Sequence, residues 1–168
     1  MRSAGGAAIA VALVAATAVA ALTPSIVKAG NANVVARMFV VTIRNDDGTI
    51  AAYQGEAVPY LPGQACYRWR IRLDHPPSLV RYDEVFTLPA APETWGGEDR
   101  DYATNTISQD RRTSMTSEFA VPVDGWVEHG WCVADGDPPG TYEMAVGIDG
   151  TPAATFTFTL VNPAEPAR

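Results

Sequence analysis

The imidazoles of this sequence are His75 and His129. His75 sits in an Asp-His-Pro-Pro turn, and His129 follows Glu128 in a strand-like segment, where it is expected on the surface. Brought together with Asp74 or Glu128, they could supply half of a metal site, but nothing in their spacing demands it. Glu98, Asp99 and Asp101, with Asn105 close by, offer the hard oxygen ligands that calcium takes. Their spacing matches no EF-hand loop, so a solvated acidic loop is expected and a bound calcium ion is the alternative. The sequence contains no Gly-x-Ser-x-Gly elbow, phosphate loop or His-Glu-x-x-His motif. Lys28 is its one lysine, which leaves the rest of the chain without Schiff-base chemistry. No catalytic residue, cofactor or metal is expected.

Arginine is the side chain whose spacing says most. Arg68, Arg70 and Arg72 alternate within "ACYRWRIRL" and form a cationic stripe on one face of a strand. Like charges so placed repel, so either carboxylates on neighbouring strands or a ligand must face them. Internal ion pairs and an interaction surface are the two readings, since the guanidinium fork suits carboxylates and protein interfaces. A second candidate is the loop around Trp95-Gly96-Gly97 and Tyr102, longer than an ordinary connection. Its tryptophan is expected either to make contact with a partner or to plug the end of the core.

These side chains need strands to position them. After Asn33 no helix-period pattern of useful length appears, whereas alternation and turn punctuation recur. "VVARMFVVTIR" turns through Asn45-Asp46-Asp47-Gly48 into "TIAAYQGEAV", and Pro59 and Pro62-Gly63 end that run. In the arginine strand, Tyr67, Trp69, Ile71 and Leu73 face one way. "LVRYDEVFTL" directs Val80, Tyr82 and Phe86 inward, and a polar stretch follows from Pro89 to about Arg112. "SMTSEFAVPV" and "GWVEHGWCVA" come next. Tyr142, Met144, Val146 and Ile148 then line one face of a strand that turns tightly at Asp149-Gly150. Phe156, Phe158 and Leu160 return on the same face. About seven strands with turn signals every eight to twelve residues imply an all-β fold, an immunoglobulin-like antiparallel β-sandwich over residues 33–162, with 163–168 a frayed tail.

The two cysteines follow from the same alternation. With Trp131 and Val133 inward, Cys132 faces out, as does Cys66. In a seven-strand sandwich the second and fifth strands adjoin, and these are the two that carry the sulfurs. A Cys66–Cys132 bridge on the solvent face of one sheet is therefore expected, stabilising by roughly 3–5 kcal/mol in the chain-entropy model. Two free thiols acting as a redox pair are the rival reading.

Compartment is read from the N-terminus. One arginine precedes "AGGAAIAVALVAATAVAAL", and residues 3–27 carry no charge. A cleaved secretory signal over residues 1–29 fits this pattern. An uncleaved transmembrane helix fits it too, because the run approaches the roughly 20 residues that span a bilayer. Ala8, Ala12, Ala16 and Ala20 would then form a small-residue stripe for helix packing. Either way the remainder is expected outside the cytoplasm, periplasmic or extracellular, with inner-membrane attachment only if the helix is retained. A formal net charge of −7 argues against nucleic acid as a partner.

"DHPPSLVRYDEVFTLPA", "DGWVEHGWCVADGDPPGTYEMAVGIDG" and "ATFTFTLV" resemble bacterial exported immunoglobulin-like domains of unknown function. The resemblance spans roughly residues 65–161 and implies a compact sandwich without known catalytic apparatus. It carries over no functional residue. The expected function is that of a non-catalytic binding module with protein partners. The alternative is an accessory subunit held by its N-terminal helix to integral membrane subunits of a respiratory or photosynthetic complex, and an enzyme is a third and weaker reading.

Overall fold

The computed structural model describes residues 33–95 and 105–163, all of whose regular structure is β. Ten strands form two facing sheets: β1 (Asn33–Arg44), β2 (Ile50–Gln54), β3 (Ala57–Pro59), β4 (Ala65–Asp74), β5 (Val80–Thr87), β6 (Asn105–Ile107), β7 (Thr113–Ala120), β8 (Trp126–Cys132), β9 (Gly140–Ile148) and β10 (Thr151–Val161). One sheet has the order β2-β1-β4-β8 and the other β3-β10-β9-β5-β7-β6. The immunoglobulin-like sandwich expected from the alternation is the observed architecture, with more strands than the seven or so expected. The extra ones are short. Gly55-Glu56 divides the "TIAAYQGEAV" run, so that β2 stays with β1 while β3 crosses to pair in parallel with β10. β6 lies inside the stretch expected to be irregular and pairs with β7.

The expected inward faces form the core. Tyr67, Trp69, Ile71 and Leu73 from β4 meet Val80, Tyr82 and Phe86 from β5 and Tyr142, Met144, Val146 and Ile148 from β9, all at most 3% exposed. Aromatic rings bridge the sheets, Tyr67 to Phe158 at 4.6 Å between centroids and Trp69 edge-on to Tyr82 at 5.3 Å. Such pairs add to the area they bury. The β9–β10 turn consists of Asp149 and Gly150, both at positive φ (49° and 77°), which is the two-residue hairpin turn whose twist matches its strands. Asp149 Oδ1 also accepts the Arg81 backbone N–H at 2.9 Å, tying the turn to β5.

The chain enters at the end of the sandwich where Asn33 opposes Asp74 and Arg72 opposes Trp126. The start of β5 and the Asp149-Gly150 turn lie at that same end. The β1–β2 turn and the two cysteines lie toward the other. The apolar run with Ala8, Ala12, Ala16 and Ala20, the acidic residues Glu98, Asp99 and Asp101, and Tyr102 are outside the described residues. Among the described residues no helix is long and apolar enough to cross a membrane.

Candidate functional site

The β4–β8 ladder builds the surface. Its register opposes Cys66 to Cys132, Arg68 to Gly130, Arg70 to Glu128 and Arg72 to Trp126. Cys66 and Cys132 form a disulfide between adjacent strands of one sheet, on its outer face. Their Cα atoms stand 3.8 Å apart, closer than the roughly 4.5 Å of a non-hydrogen-bonded antiparallel pair. Two pairs further along, on the same face, only glycine fits. A Cβ on Gly130 would lie 2.5 Å from the Tyr67 carbonyl oxygen and 2.6 Å from Arg68 Cβ.

Glu128 answers the repulsion within the stripe. Arg70 Nε lies 2.7 Å from its Oε2 and Arg68 Nη1 3.3 Å from its Oε1. The Arg70 guanidinium also lies over the Trp126 ring, 4.7 Å from its centroid, in a cation–π contact. Arg72, exposed, forms no ion pair among the described residues. β1 brings a fourth arginine to the same side. Thr42 stands opposite Cys66 and Arg44 beside Gln64, and with Arg68 and Glu128 they line a groove of about 370 Å³. The groove passes over Gly130 and beside the disulfide.

Behind this face lies a buried polar centre. Glu84 is 1% exposed and points from β5 into the core between Tyr82 and Phe86. The indole N–H groups of Trp69 and Trp131 donate to its two oxygens, the latter at 2.9 Å, and His129 Nδ1 lies 3.2 Å from Oε2. The surface position expected for His129 is thus corrected. Val127, His129 and Trp131 share the inward side of β8, while Glu128 faces out. The alternation that turned Trp131 inward required the same of His129, whose polarity is met by Glu84 rather than by water. Glu84 itself was readable from its even spacing with Val80, Tyr82 and Phe86, and its charge hid it. Tyr82 donates to Glu118 at 2.8 Å. Burial, and then that hydrogen bond, raise its phenol well above the ordinary range.

The remaining expected site residues fall elsewhere. Trp95 is 5% exposed, packs against Phe86 and Trp131, and donates from Nε1 to the Arg111 carbonyl at 2.8 Å. Of its two expected roles, the core plug is the arrangement observed. His75, at positive φ (47°), is exposed and pairs with Asp74 at 2.8 Å, far along the chain and the sheet from His129. Among the described residues no three metal-binding side chains come together.

No curated protein matches the chain. An immunoglobulin-like protein from Pseudomonas aeruginosa, known from its crystal structure, is similar at 11% identity with a TM-score of 0.49, over 80% of this chain and 99% of that one. The model of a family described as the PM0630 beta sandwich domain matches residues 37–161. These residues run from within β1 to the end of β10, so the chain belongs to the PM0630 beta sandwich domain family.

Proposed function

We propose that the chain is an exported, non-catalytic interaction module whose contact surface is the outer face of the β2-β1-β4-β8 sheet, and whose partner presents carboxylates. The observation that carries this reading is the gathering of Arg44, Arg68, Arg70 and Arg72 on one face of an acidic protein. Glu128 neutralises part of that charge, and Asp74, at the far end of the stripe, is engaged by His75. Most guanidinium N–H donors of Arg44, Arg68 and Arg72 therefore face the groove and solvent, and a planar fork of donors is what a carboxylate-bearing surface fits. The buried carboxylate Glu84 is occupied by two indoles and an imidazole, which favours a structural role for it over acid–base work. The outward cysteine pair and the apolar N-terminus support export.

The test is in-cell cross-linking of the full chain against the double variant Arg68→Glu/Arg72→Glu, with Thr155→Glu/Thr157→Glu on the opposite sheet as control. Both pairs are changes at the surface, and the comparison is made between variants whose melting temperatures match the parent's. Partners captured by the parent chain and the control should be lost from the arginine variant. Equal capture by all three would reject this face as the contact surface.

A further inference from the structure

The apolar side chains left in solvent are unevenly placed. Among the described residues ten large ones are exposed, and Val35, Leu79, Phe119, Val121 and Val123 lie at or next to the end where the chain enters. They are 52–70% exposed. Val121 and Val123 flank Pro122 in the β7–β8 turn and border a depression of about 290 Å³ that Trp126 and Arg70 share. Exposed aliphatics beside a tryptophan suit the boundary of a bilayer, where the indole ring lies at headgroup level.

The length of chain before β1 says what covers this end. Residues 3–27 are uncharged and long enough to span a bilayer. Only Lys28 to Ala32 separate them from Asn33. Five extended residues reach at most about 18 Å, and the headgroup layer on each side of the hydrocarbon takes up about 6 Å of that. With residues 3–27 retained in a bilayer, a sandwich tethered so closely would keep its entry end near the lipid.

We propose that the entry end of the sandwich, through Leu79, Phe119, Val121 and Val123, rests on the lipid bilayer that holds residues 3–27. Asp74, Asp124 and Asp149 share this end, so the contact is with the headgroup layer and does not reach the hydrocarbon. The opposite end, with the groove beside the disulfide, then points away from the membrane. The inference rests on retention of the N-terminal segment and is independent of the arginine face.

The experiment uses the full chain reconstituted into vesicles of phosphatidylethanolamine and phosphatidylglycerol. A photoreactive phenylalanine analogue replaces Phe119 or Val123 at the entry end, or Asp46 in the exposed β1–β2 turn at the opposite end. Lipid adducts severalfold more abundant at 119 and 123 than at 46 are expected. Equal adduct yields at the three positions, or none at 119 and 123, would overturn the proposal. So would adducts at 119 and 123 that, in the native membrane, are with protein only. The N-terminal sequence of the chain isolated from its own cells is the second measurement. A start before residue 28 supports the inference, and a start at or beyond it ends it. Neither readout touches Arg68 or Arg72, so failure here leaves the arginine-face reading to its own test.

Discussion

A carboxylate held between two indoles and an imidazole, with 1% of its surface exposed, has exchanged all its water for protein donors. Removing such a partner leaves buried donors without an acceptor, and the loss is larger than that of an ordinary hydrogen bond. Glu84→Ala is expected to lower the unfolding free energy by about 3–5 kcal/mol. Glu84→Gln should cost clearly less, because its amide oxygen still accepts from one indole. Urea unfolding of the two variants checks this. Equal and small losses would mean that the indoles find other acceptors. Gly130 is a second position where one atom decides. Its hydrogen sits where a methyl would strike the Tyr67 carbonyl, so the residue type follows from how closely β8 approaches β4.

At the scale of elements, β8 is an edge strand, paired on one side by β4 and open on the other. An edge strand frays more readily than an interior one, and β8 carries Trp131 and His129 to Glu84 and Glu128 to the arginines. The Cys66–Cys132 bond fastens its C-terminal end. With a sequence separation of 66 between the cysteines, the chain-entropy model gives a stabilisation of about 4 kcal/mol. Reduction, or Cys66→Ser with Cys132→Ser, should lower the unfolding free energy by about that amount. Hydrogen exchange should speed up first in β8 and in β4 beside it. Uniform acceleration across both sheets would show that the bond acts only through the unfolded chain.

For the molecule as a whole, three lowered aspartates should make acid destabilising, against the opposite sense of Asp137, whose carboxyl is raised by burial. Asp83 lies on the outer face of the larger sheet. Partial burial would raise its carboxyl, but the Ser117 hydroxyl at 2.7 Å and Arg81 at 2.8 Å outweigh this and hold it below the ordinary range. Asp110 is lowered by the Ser108 hydroxyl and the Arg112 backbone N–H, and Asp47 by the Thr49 hydroxyl and backbone N–H. A group whose folded pKa is depressed contributes stability that is complete above its unfolded pKa, about 4 for aspartate. That stability is lost as pH falls through the folded value. Melting temperature should therefore hold from neutral pH down to about 5 and then drop. Asp83→Asn should start lower and fall less steeply in acid. An identical acid limb in the variant would exclude Asp83 as a contributor. At the same scale, one end offers apolar side chains near where the chain enters, and one broad face offers arginines.

Much of this was open to reading in the residues themselves. Strict alternation in "ACYRWRIRL" required Tyr67, Trp69, Ile71 and Leu73 to share a side, and the arginines and Cys66 the other. Asp149-Gly150 required a tight hairpin because two adjacent residues there must take positive φ. Cys132 followed from Trp131. Applied without regard to polarity, the same rule would also have turned Glu84 and His129 inward. What alternation cannot reveal is adjacency, because its period of two is a property of one strand, whereas strand order is set by pairings across the whole chain. Only the tertiary structure decided that β4, β5 and β8 bring Trp69, Glu84, His129 and Trp131 to one point. It alone placed Glu128 between two arginines, brought Arg44 of β1 to their face, and collected Leu79, Phe119, Val121 and Val123 at a single end.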